Sequence, residues 1–157
     1  MLKAYKYKLL PNQEQQETLS KYFGCVRFIY NWGLDKKIET HKESGKSIGY
    51  VPLAKELTLL KKQEGFEWLK ECSNESLQQS LRNLETAFSN FFKKNSKYPK
   101  FKSKKYSRDS VKFIKSVHFD FANWTVKLPK IGKVYLCKNR TFNQATCKQG
   151  TTTVSRD

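Results

Sequence analysis

With 157 residues, 31 Lys or Arg against 14 Asp or Glu, and a formal net charge of +17, the chain is long enough for one domain or for two small lobes sharing a core. A charge of that size says nothing about fold; it points to nucleic acid or an anionic membrane surface as partner. No apolar run approaches the roughly 20 residues that span a bilayer, and the opening MLKAYKYKLLP alternates instead of running apolar, so neither membrane insertion nor a secretory signal is expected.

In chain order, Tyr5, Tyr7 and Leu9 alternate with Lys6 and Lys8, the period of a half-buried strand that Pro11 stops. Asn12 followed by Gln15 opens a helix in the manner of a capping box, with Glu14 and Glu17 near its positive end. Leu19, Tyr22 and Phe23 give that helix its apolar stripe, and Gly24 suits the left-handed position that ends one. From Cys25, the residues Val26, Ile29, Tyr30, Leu34, Ile38 and His41 recur at helical spacing, so a second helix is expected to about Glu43, with a loop at Ser44 to Lys46. Pro52 reads as a first-turn residue of a third helix containing Leu53, Leu57 and Leu60, and a short segment surrounds Trp68 and Leu69. Leu77, Leu81, Leu84, Phe88 and Phe91 follow spacings of four, three, four and three, which predicts a helix from about Asn74 to Lys93 whose apolar face is core. Beyond Lys100 the runs Val111 to Val117, Phe119 to Phe121, Thr125 to Leu128, Val134 to Cys137 and Thr151 to Val154 read as strands, with turns at Asn123 and from Pro129 to Gly132. The order strand, helices, strands implies an α+β fold in which the first strand returns to a small sheet and the helical block is inserted as a separate lobe.

Between helices and strands lies the most informative stretch. From Lys93 to Lys115 the chain carries ten Lys or Arg and one Asp, interleaved with Tyr98, Phe101, Tyr106 and Phe113. Unpaired ammonium groups cost several kcal/mol each to bury, so these cations stay in water or meet an anion. Rings between cations can stack on bases while the cations take phosphates. Lys100, Lys102, Lys104 and Lys105 are the expected phosphate contacts, with Phe101 packing or stacking.

Cys25, Cys72, Cys137 and Cys147 include no C-x-x-C pair, and His41 and His118 are the only histidines. A zinc site needs closely spaced ligands, so reduced thiols in a cytosol are expected, without a metal or other cofactor.

The runs KAYKYKLLPNQEQQETL, GCVRFIYNWGLDKKIE, LTLLKK with WLKE after it, LQQSLRNLETAFSNFFK, YPKFKSKK and KLPKIGKV resemble TnpB, the OrfB-type protein of bacterial insertion sequences and a relative of the type V CRISPR effectors. They cover nearly all of residues 2 to 136 in that family's order. The resemblance implies a small β-rich, barrel-like wedge domain with an inserted helical recognition lobe: residues 1–11 as the first wedge strand, 12–95 as the recognition lobe with a helix-turn-helix-like start, and 96–157 as basic linker and remaining wedge strands. It implies a guide RNA and duplex DNA beside a short motif as partners, a cytoplasmic bacterial or archaeal protein that joins the nucleoid when bound, and a transposase label. Readers of the adjacent motif are implied at Tyr50, Asn74 and Gln78 in the recognition lobe and near Lys115 and Ser116 in the wedge. Asn74 stands where the family can carry a Lys.

The same resemblance implies a RuvC-type nuclease domain and a zinc ribbon beyond this point, as a downstream or separate part. Two-metal hydrolysis needs several convergent carboxylates, and Glu14, Glu17, Glu39, Glu56 and Glu85 lie instead on helix faces beside Lys, the pattern of solvated pairs. Asp157 has no supporting strand, and neither a Gly-rich phosphate loop nor a Ser, His, Asp arrangement is evident. The expectation is therefore binding without cutting. Two other readings stand beside it: a stand-alone helix-turn-helix regulator of operator DNA, although Tyr30, Asn31 and Trp32 suit packing better than groove reading, and a remnant of a mobile element without function.

Overall fold

A computed structural model describes residues 4–138 and 151–156; Cys147 and Asp157 lie outside the described residues. Strand β1 is Leu9–Leu10. Asn12 then caps the first helix as expected: its Oδ1 accepts from the Gln15 N–H at 2.8 Å, and Gln15 Oε1 accepts from the Asn12 N–H at 3.0 Å.

The helix that follows corrects the reading at Gly24. Helix α1 runs unbroken over Gln13–Ser44, 32 residues or about 48 Å. Gly24 is not among the residues of positive φ; the left-handed stop belongs to Gly45, at φ 70°, whose N–H donates to the His41 carbonyl. A helical glycine costs only about 1 kcal/mol relative to alanine. The apolar stripe continues through it: Leu19, Tyr22 and Phe23 before, Cys25, Ile29, Tyr30 and Leu34 after, all buried, and that shared burial outweighs the local preference of one residue. The expected break at Gly24 is thus absent, and the two helices read from the sequence are one.

Helix α2 spans Tyr50–Leu60 with Pro52 in its first turn, a 3₁₀ segment spans Glu67–Glu71, and α3 spans Asn74–Phe92. Leu77, Leu81, Leu84 and Phe88 of α3 are buried as the spacing predicts. At the α1–α3 crossing Gly33 has no room for a side chain: a β-carbon there would sit 2.8 Å from Leu81 Cδ2 and 2.9 Å from Leu84 Cδ2.

The strands are β2 Ser110–Phe113, β3 His118–Asp120, β4 Thr125–Leu128, β5 Gly132–Leu136 and β6 Thr152–Ser155. They form two antiparallel sheets, one ordered β1-β5-β4-β3 and one of β2 with β6. The first strand does return, pairing Leu9 with Leu136. The run from Val111 to Val117 is cut short after Phe113 because the Ile114 and Lys115 N–H groups donate to the Glu75 carboxylate of α3 instead of to a neighbouring strand.

Strands and helices share one core. A single cluster holds Ile29, Leu57, Leu69 and Leu77 from the helical block together with Val111, Phe113, Val126 and Val134 from the sheets. Polar clips reinforce it: Ser76 Oγ donates to the Lys112 carbonyl at 2.9 Å, Ser80 Oγ to the Val26 carbonyl at 2.8 Å, and Gln15 Nε2 to the Lys133 carbonyl at 2.7 Å. One of the expected surface carboxylates is recruited as well, since Glu85 pairs at 3.0 Å with Lys37, a buried side chain whose ammonium also donates to the Ile48 carbonyl. Lys36 and Glu56 make a looser pair at 3.7 Å, both half in water. Among the described residues Cys25, Cys72 and Cys137 are free thiols, no three metal-ligating side chains converge, and no helix is long and apolar enough to cross a membrane.

Candidate nucleic-acid interface

The expected contact residues fall on two surfaces. The first follows α3. Asn74 and Gln78 are one helical turn apart on the same face, and Arg82, one turn further, stacks its guanidinium 4.6 Å over the Tyr50 ring. Tyr50 opens α2 directly after Gly49, so this cation–π contact brings the α2 N-terminus against the Gln78 face. Asn74 Oδ1 accepts from Lys61 Nζ at 2.7 Å. The Lys61 ammonium is destabilised first by burial and then by the neighbouring charges of Lys130 and Lys70, which lower its pKa. Lys130 is exposed and donates to the Lys70 carbonyl at 2.6 Å.

Lys115 and Ser116 join this surface through Glu75. Its Oε1 accepts from the Lys115 N–H at 2.6 Å and its Oε2 from Ser116 Oγ at 2.6 Å. Burial alone would raise the Glu75 pKa, but the bonds from Ser116, Lys115 and Ile114 prevail and hold it below the usual carboxylate value. A carboxylate in the first turn also favours the positive helix end. Lys115 and Ser116 are therefore fastened to the turn of α3 that also carries Asn74 and Gln78, through one residue that the sequence did not single out. Glu75 is about 40 positions from its partners, and no local pattern signals such a bond.

The second surface is the basic ribbon, which lies against α1. Asn31 grips its backbone from both sides: Nδ2 donates to the Lys102 carbonyl at 2.8 Å and Oδ1 accepts from the Lys102 N–H at 2.7 Å. Lys102 Nζ then sits 4.2 Å over the Tyr30 ring, partly shielded from water, and that burial lowers its pKa. Tyr30 and Asn31 thus do pack instead of facing a groove. Lys100, Phe101, Lys104 and Lys105 are exposed. The contacts that hold this ribbon run to α1, through Asn31 and Tyr30, and not to the Gln78 face of α3. At the end of the ribbon Asp109 is held by Arg27 at 2.9 Å and Arg156 at 3.6 Å, and Arg156 stacks 5.0 Å over Phe23.

Comparison with known proteins fits this picture. The helix-turn-helix domain model of OrfB proteins of IS605-type elements matches residues 1–46, the segment folded here as β1 and the single helix α1. A protein of Streptomyces pristinaespiralis, named as a candidate RNA-guided DNA endonuclease, is 39% identical over 155 residues, covering 99% of this chain and 38% of its own length. A second so named, InsQ of Escherichia coli K12, is 35% identical over 131 residues, covering 83% of this chain and 32% of its own. The chain spans about a third of the length of these two relatives. The virulence protein VsdF of Salmonella dublin is 36% identical over 113 residues, covering 66% of this chain and 95% of that protein. Identity of this extent with the two endonuclease relatives, together with the OrfB match over β1 and α1, makes this chain a member of the TnpB family of OrfB-type insertion-sequence proteins.

Proposed function

We propose that residues 1–157 are the nucleic-acid-binding part of a TnpB-type protein, in which the two sheets act as a wedge and α1 to α3 as a recognition lobe. In this reading the chain holds a guide RNA and reads duplex DNA beside a short motif, without cutting either. The Glu75 clip is the observation that carries it: Lys115 and Ser116 from the strand half are held beside Asn74 and Gln78 on α3, giving one polar surface built by both halves. Gln78 has the two-pronged amide that pairs with adenine, and Tyr50 under Arg82 offers a stacked aromatic edge. The Lys61 ammonium, 2.7 Å from Asn74 Oδ1, supplies a cation at the place where the family can carry a lysine. Lys100, Lys102, Lys104 and Lys105 serve the phosphates.

Cleavage is assigned elsewhere because the carboxylates near these surfaces are already engaged, Asp109 by two arginines and Glu75 by the backbone of the clip. A nuclease part, downstream or separate, would supply the metal-binding acids. The operator-binding regulator is disfavoured by α1, whose unbroken course over Gln13–Ser44 packs Tyr30 and Asn31 against the ribbon instead of presenting them to a groove.

A filter-binding titration tests the proposal. With roughly six phosphate contacts the log-log salt slope on duplex DNA is about −5, the RNA of the element's end binds more tightly than unrelated duplex, and magnesium produces no cleavage. A flat titration sinks the phosphate model, and duplex preferred over every RNA returns the regulator.

A further inference from the structure

Resting on that nucleic-acid reading, we infer that Tyr106 is a stacking platform for one unpaired nucleobase, with Lys104, Lys105 and Arg108 taking the phosphates on either side. Four rings interrupt the basic ribbon, and the fold leaves them in very different situations. Phe113 is fully buried. Tyr98 is 46% exposed, but its ring packs at the end of α3, edge-on to Phe88 at 5.4 Å and to Phe91 at 5.2 Å. Phe101 is 55% exposed, whereas Tyr106 is 83% exposed, the highest value among the large apolar side chains described.

An exposed ring on a floppy loop would mean little, but this one stands on a braced turn. Ser107 Oγ accepts from the Ser103 N–H at 3.0 Å, Ser103 Oγ accepts from the Tyr106 N–H at 3.2 Å, and the Ser107 N–H donates to the Ser103 carbonyl at 3.0 Å. Fixing the backbone that carries the ring before binding removes part of the ordering cost of association. Lys105 Nζ lies 5.1 Å from the ring centroid, and at 83% exposure the ring still has a face for a base. A shallow cleft of about 470 Å³ separates the turn from Arg156. The one acid in it, Asp109, is neutralised by Arg27 and Arg156, so the cleft presents cations to an approaching phosphate.

The partner follows from the chemistry. Bases within a duplex already have both faces stacked, so a projecting ring gains little there; an unpaired strand offers a free face and two flanking phosphates. RNA and DNA share that chemistry, and the test separates them.

The experiment measures dissociation constants of the full chain for an unstructured single-stranded 12-mer as RNA and as DNA, for the matching duplex, and for the same strand with abasic sites. The proteins compared are wild type, Tyr106→Ala and Tyr106→Phe. Tyr106→Ala is expected to weaken single-strand binding about tenfold while leaving duplex binding and the salt slope unchanged, and Tyr106→Phe is expected to retain wild-type affinity. Abasic strand should lose a similar factor with wild type and almost nothing further with Tyr106→Ala. The ribose or deoxyribose strand that suffers the larger loss identifies the source. Wild-type binding with a normal salt slope that Tyr106→Ala leaves untouched overturns the platform alone. Wild type that binds no nucleic acid at low ionic strength overturns the nucleic-acid reading, and the platform with it.

Discussion

Glu75 shows how much one side chain can do without being hydrophobic. It ends strand β2, orders residues 114 to 116, and fastens the strand half to the first turn of α3. Its folded pKa is depressed below the usual 4.5, so the bonds it accepts stabilise the protein above that value, and their contribution is lost as pH falls through the lower folded value. Substitution Glu75→Gln is predicted to lower stability by about 1–2 kcal/mol at neutral pH, the value for hydrogen bonds to a charged acceptor reduced for its partial exposure to water. It should also flatten the loss of stability on acidification. Thermal melts of both proteins from pH 7 to pH 3 check this, and curves that run parallel throughout would mean the carboxylate charge contributes nothing.

At the scale of elements, α1 carries the strongest disagreement between local pattern and fold. Gly24 and Gly33 lie in the same helix, yet substitution by alanine should act in opposite directions. At Gly24 the nearest atom to an added β-carbon is Arg27 Nη2 at 3.9 Å, so Gly24→Ala should stabilise by about 0.5–1 kcal/mol through helix propensity alone. At Gly33 the same β-carbon collides with two leucines of α3, and forcing them apart costs about 1–3 kcal/mol, more than propensity returns. Denaturant midpoints of the two variants decide the matter. Loss of stability in Gly24→Ala would restore a turn at that position and the two-helix reading.

Over the whole molecule, a formal charge of +17 must be reconciled with a core that helices and strands share. The fold does so by keeping most ammonium groups at the surface and shielding a few. Lys102 is one of these. Burial depresses its pKa, so the protonated side chain costs stability at neutral pH, a cost that fades as pH rises past its folded value, and contact with Tyr30 returns about 0.5–1 kcal/mol. Replacing it by methionine keeps the alkyl stem over the ring and removes the charge. Lys102→Met is therefore predicted to stay within about 1 kcal/mol of wild type in stability while the salt slope of nucleic-acid binding drops by about one. Parallel measurements of melting and of salt-dependent binding check it; an unchanged slope would remove Lys102 from the phosphate contacts.

Sequence alone determined the elements whose signal is local. The capping box at Asn12, the apolar spacing from Leu77 to Phe88, the strand run from Thr125 to Leu128 and the strand, helices, strands order all follow from neighbours a few positions apart, and so does the crowding of charge between Lys93 and Lys115. What the tertiary structure decided depends on partners far along the chain. Burial against α3 carried α1 through Gly24, Glu75 cut β2 short from about 40 positions away, and packing buried Phe113 and tied Tyr98 to the end of α3 while leaving Tyr106 in water. A side chain's propensity is written in its own type and spacing, but its exposure and its hydrogen-bond partners exist only once distant segments have packed.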